Sequence, residues 1–202
     1  PGATAGARRP LEVVREAVEL FREDANIRRF VTARSLNLSI ALIQPLYVVI
    51  AAERLGFSFS GLGTLLVASA GAALISGWVW GRLTDRSARF VLVLAPLLGV
   101  LVGVLFFSLP SMGGVAAGAV GHGVAIFLHN IAYSGARVGR KTYLVNAAGN
   151  ENRALLAAGA NTLIGIATLL LSALVSTVTA LFAPAASAAM LLLLLAAGGT
   201  LA

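Results

Sequence analysis

Two histidines, His122 and His129, lie in a stretch of the chain that holds no Asp, Glu, Lys or Arg. An imidazole titrates near neutral pH and both donates and accepts hydrogen bonds, so where no carboxylate is present it is the group able to exchange a proton or orient a solute. At about 100° per helical residue, His122, Ile126, His129, Tyr133, Arg137 and Arg140 fall within about 80° of one another, forming one stripe on one face. A second set precedes it: Asn37 and Gln44 at i,i+7, with Tyr47 nearby and Pro45 able to kink the helix. A polar side chain in hydrocarbon must meet water or a bonding partner. Asn37, Gln44, Tyr47, His122, His129 and Tyr133 therefore either line a hydrated cavity or bond to a neighbouring helix. Hydrolytic chemistry is not expected, because Ser134 stands about 140° from His129 on the same helix. Two histidines without an acid do not make a metal site, so neither metal nor cofactor is expected.

The elements that position these residues follow from where charge is absent. Hydrophobic residues make up 58% of the chain and charged residues only 11%, against about a quarter charged in a usual soluble domain. The mean hydropathy is +0.91. Ser35–Ala52, Leu55–Gly81, Phe90–Ala136 and Ala154–Ala202 contain no charged side chain. A bilayer core takes about 20 helical residues, so the first two tracts hold one span each and the last two hold two each. The long tracts break at Leu109-Pro110-Ser111-Met112-Gly113-Gly114 and at Ala183-Pro184-Ala185-Ala186-Ser187. Runs such as Leu191–Leu195 exclude the alternating pattern of a membrane barrel. The expected fold is an all-α membrane protein with six transmembrane helices. At about 1.5 Å per residue, His122 and His129 then lie about 12 and about 22 Å below the outer surface, with Arg137 at the inner mouth.

The net charge of +7 has a topological reading. With the N-terminus cytoplasmic, six spans leave Arg54 as the one outside residue among 15 Lys and Arg, a strong positive-inside bias. Nucleic acid is not needed to explain the charge, and the expected location is the plasma (inner) membrane. Residues 1–10 read as a flexible linker and 11–30 as an amphipathic cytoplasmic helix. Leu11, Val14, Val18 and Phe21 form its apolar face, and Arg15–Glu19 is an i,i+4 pair. Residues 31–202 form the six-span domain. Span five carries Asn161, Gly165, Thr168, Ser172, Ser176 and Thr179 on a narrow stripe that suits close helix packing. Because the chain opens on Pro1 and closes at Gly198-Gly199-Thr200-Leu201-Ala202 without a basic anchor, a longer parent protein is expected.

Between spans two and three stands Gly81-Arg82-Leu83-Thr84-Asp85-Arg86-Ser87-Ala88-Arg89. It resembles the cytoplasmic loop signature of the major facilitator superfamily: glycine, any, leucine, any, aspartate, basic, any, glycine, arginine. Ala88 replaces the last glycine. Asn150-Glu151-Asn152-Arg153-Ala154, between spans four and five, is similar to the acidic-then-arginine loop placed there in the same family. The resemblance implies a six-helix half of a secondary transporter, the C-terminal half with part of the inter-domain linker. It also implies a latch at Gly81, Asp85, Arg86 and Arg89 that locks against the other half, with a sharp reversal expected at Gly81. Spans one and four would line the cavity, so the implied partners are the lipid bilayer, the second half, a small-molecule substrate and a coupling proton. The competing expectation is a non-transporting membrane scaffold or receptor-like protein with the same spans.

Overall fold

In the computed structural model of the chain, residues 25–56, 58–147, 153–181 and 185–201 are described, with Arg15, Val18, Glu19 and Arg22 from the segment before them. The secondary structure among the described residues is helical throughout: α1 (Ala25–Arg54), α2 (Phe59–Arg86), α3 (Ala88–Met112), the single turn α4 (Gly114–Ala117), α5 (Ala119–Ala147), α6 (Arg153–Leu181) and α7 (Ala185–Leu201). Four apolar stretches are long enough to cross a membrane: Arg34–Arg54, Phe59–Arg86, Ala88–Met112 and Asn161–Leu181. The other two long elements differ for identifiable reasons. α5 dilutes its apolar content with His122, His129 and Asn130 and ends in Arg137, Arg140 and Lys141, while α7 is short at 17 residues.

Local chemistry sets the helix ends. Ser58 caps α2 by accepting from the Gly61 amide at 3.2 Å. Ser87 alone separates α2 from α3, in extended backbone. Its N–H closes α2 on the Leu83 carbonyl, and its hydroxyl accepts from the Phe90 amide at 3.2 Å to open α3. The reversal therefore falls at Ser87, not at Gly81. Gly81 is helical, and a Cβ there would meet open space. Within the break expected over residues 109–114, the turn comes at Gly113 and Gly114, whose φ values of 67° and 54° lie in the left-handed region where a side chain is strained. Pro110 itself stays inside α3. The second break falls between Leu181 and Ala185, where it was expected. α1 runs without interruption through residues 25–54, so residues 25–30, assigned by sequence to a separate surface helix, continue into the first span. Most of residues 11–24 lies outside the described set. The pair Arg15–Glu19 is present at 3.1 Å and exposed.

The helices alternate in direction, which gathers Arg34, Arg86, Arg89, Arg137, Arg140 and Lys141 at one end of the bundle, the basic end, and leaves Arg54 at the other. α5 lies along α2 and α3, while α1 lies along α7 and α6; α1 meets α5, and α3 meets α7. Exchanging α1, α2, α3 with α5, α6, α7 maps each of these neighbour pairs onto another pair in the set or onto itself. One apolar core, toward the Arg54 end, joins Ile43 and Tyr47 of α1, Leu65 of α2, Phe106 of α3, Ile126 of α5 and Leu192 of α7. A second core, toward the basic end, joins Trp80, Val91 and Ala95. Trp80 lies on α5 where Gly135 leaves room, since a Cβ there would overlap the indole, and its Nε1 donates to the Ile131 carbonyl at 2.7 Å.

Candidate functional site

Where α1 and α5 face each other in opposite directions, their polar residues meet at two levels, and further polar residues lie at the basic end. At the Arg54 end, Arg54 Nη1 donates to the Phe106 carbonyl at 3.2 Å and stands 3.4 Å from His122 Nε2. Its guanidinium lies 5.2 Å from the Phe106 ring centroid, a cation–π contact. His122 Nδ1 is 3.0 Å from the Gly118 carbonyl. A carbonyl only accepts, so Nδ1 carries the proton and Nε2 is free to accept from Arg54. The imidazole thus joins α5 to the end of α1.

At mid-length, Gln44 Nε2 donates to Asn130 Oδ1 at 2.9 Å, and Asn130 Nδ2 donates to Ser69 Oγ at 3.2 Å and to the Ile126 carbonyl at 2.9 Å. Ser69 Oγ donates to the Leu65 carbonyl at 3.0 Å, so the chain of bonds crosses α1, α5 and α2. Beside it, His129 Nε2 lies 3.1 Å from the Ile40 carbonyl and is fixed as a donor by the same reasoning. Tyr47 stacks on Phe106 at 4.3 Å between centroids and meets the His129 ring edge-on at 5.0 Å. The Tyr47 hydroxyl and His129 Nδ1 are buried with no partner among the described residues. A Cβ on Gly103 of α3 would stand 2.8 Å from that hydroxyl.

At the basic end, Arg34 Nη2 donates to Asn161 Oδ1 of α6 at 2.8 Å, and Arg137 lies 5.9 Å from the Tyr133 ring. Asn37 is half-buried, and its Oδ1 has no partner among the described residues.

Four of the six residues chosen from the sequence meet across the two helices. Gln44, Tyr47, His122 and His129 all lie at the α1–α5 seam, and Tyr133 and Asn37 are half-buried toward its basic end. Both histidines are packed, with 0% of His122 and 1% of His129 exposed. The sequence reading missed Asn130 and Ser69, which lie off the histidine stripe, and the bonding role of Arg34 and Asn161. Asn130 did carry a signal: it is an amide inside a charge-free tract, the same criterion that singled out the histidines. Away from the seam, Asp85, Arg86 and Arg89 are exposed around the Ser87 turn. Arg82 lies 4.1 Å over the Trp78 ring, and Arg89 lies 6.0 Å from the Tyr143 ring. Among the described residues, no group of three His, Cys, Asp or Glu side chains could hold a metal ion. No protein-family model, curated protein or solved structure matches the chain.

Proposed function

We propose that this chain is one six-helix half of a secondary transporter of the major facilitator kind, which moves a small solute across a membrane by alternating access. The observation that carries the reading is the polar seam between α1 and α5. These helices exchange with each other in the neighbour pattern of the two helix triplets, and at mid-length they place Gln44, Tyr47, His129 and Asn130 together. Transporters built from inverted repeats bind substrate near the membrane midplane where the repeats meet. On this reading α5 and α7 are the fourth and sixth spans, joining the four longer apolar helices. The basic end is cytoplasmic, in an inner or plasma membrane, with the N-terminus on that side. Exposed Asp85, Arg86 and Arg89 remain free to latch onto a second half, and His129 is the candidate for a coupling proton.

The chain has no cysteine, so single cysteines report one position at a time. With cysteine at Asn37, Gln44 or Tyr133 of the intact protein, a membrane-impermeant maleimide is expected to react in one access state and not in the other. If all three positions stay unreactive from both sides under every condition, the transport reading fails. A non-transporting scaffold then takes its place, a reading that the complete burial of both histidines favours.

A further inference from the structure

Arg34 holds donors that nothing in the bundle uses. Its Nη2 is engaged by Asn161 at 2.8 Å, but Nε and Nη1 are buried without a partner among the described residues. An arginine that merely anchors a helix at the membrane surface turns its charged head to water, whereas these two donors are withdrawn from water and unmet, which costs free energy. The charged group acting on Arg34 is another cation, Arg140 of α5, and Arg140 in turn feels Arg137 and Tyr133. The described carboxylates are elsewhere: Glu19 pairs with Arg15, Glu53 is at the far end of α1, and Asp85 is exposed at the end of α2. Two half-buried guanidiniums whose charges act on each other, with no carboxylate beside them among the described residues, describe a site for an anion.

We propose that Arg34 and Arg140 bind the oxyanion of a phosphate group at the basic end of the bundle, with an unmet N–H of Arg34 as a hydrogen-bond donor to it. A guanidinium holds its donors in fixed planar directions, which an ammonium does not. Inorganic phosphate carries up to about two negative charges near neutral pH, and a phosphodiester headgroup carries one, so either offsets the positive charge gathered there. A lipid headgroup and a soluble phosphate present the same chemistry here, and the site stands whether or not the chain transports anything.

The test uses the full chain in two arms. In neutral detergent, stripped of lipid, inorganic phosphate is titrated while binding and Tm are followed. In phosphatidylcholine nanodiscs with and without phosphatidylglycerol, the bound anionic lipid is counted by native mass spectrometry. Binding is expected in at least one arm, and Arg34→Gln and Arg140→Gln should each weaken it about tenfold or more. Arg82→Gln, which removes a charge at the same end from a side chain resting on Trp78, should leave binding unchanged. Binding of inorganic phosphate marks a soluble ligand, and binding of phosphatidylglycerol alone marks a headgroup. Should Arg34→Gln fail to fold, Arg34→Lys keeps the charge without the planar fork and should still lose affinity. The proposal is overturned if wild type binds in neither arm, if Arg82→Gln costs as much as Arg34→Gln, or if Arg34→Gln lowers Tm equally with and without phosphate while Arg140→Gln has no effect on binding.

Discussion

Asn130 accepts from Gln44 and donates to Ser69 and to the Ile126 carbonyl, so one amide holds α1, α5 and α2 together. Interhelical hydrogen bonds in membranes contribute about 0.6–2 kcal/mol each. Asn130→Leu should cost about 1–4 kcal/mol by loss of two such bonds, seen as a lower Tm in detergent. Because Gln44 is left without its partner in that variant, adding Gln44→Leu should cost less than it does in the wild type. Additive effects of the two substitutions would show that the bond contributes nothing. The histidine stripe read from the sequence identified the face of α5 that meets α1. It did not show whether that face meets water or packing, since periodicity gives the angular position of a side chain and not what stands opposite. Partner choice is set by the antiparallel alignment of α1 with α5, which sets Gln44 level with Asn130 and Tyr47 level with His129. No spacing within either helix encodes that alignment.

The helices and their breaks were largely legible, because charge-free tracts and the proline- and glycine-bearing interruptions leave few places for a turn. The exception is instructive. Gly81 attracted the reversal between α2 and α3 through its place in a motif, yet Ser87 performs it by closing one helix and capping the next. A serine that caps on both sides needs no positive φ, so glycine chemistry was the wrong signal to follow there. At the α3 end the glycines do carry the turn. Gly113→Ala and Gly114→Ala should each cost about 1–2 kcal/mol, since left-handed backbone strains any Cβ. Gly81→Ala should be neutral or stabilising, because the position is helical and open. Thermal unfolding of the three variants side by side checks this, and equal losses at all three would refute it.

For the molecule as a whole, alternating helix directions leave Arg54 alone at one end against a cluster of basic residues at the other. Single cysteines at exposed Ser58 and Ser111 should label from outside the cell and at exposed Ser87 from the cytoplasm. Outside labelling at Ser87 would invert the assigned orientation. The exchange between the two helix triplets also bears on how the chain comes to be folded. α1 packs mainly on α5, α6 and α7, and α5 mainly on α2 and α3, so each triplet finds its partners in the other rather than within itself. Synthesis proceeds at about 5–20 residues per second. For several seconds after α1 emerges, therefore, Gln44 lacks Asn130 of α5, and Arg34 waits longer still for Asn161 of α6. A nascent chain stopped after α3 would hold three spans with almost nothing to bind them to each other, and its polar amide and guanidinium would depend on lipid headgroups, water or the insertion machinery. The arrival of α5 is the event that converts separately inserted spans into a bundle, which makes biogenesis of this protein more sensitive to defects in its fourth long helix than to equal defects in its second.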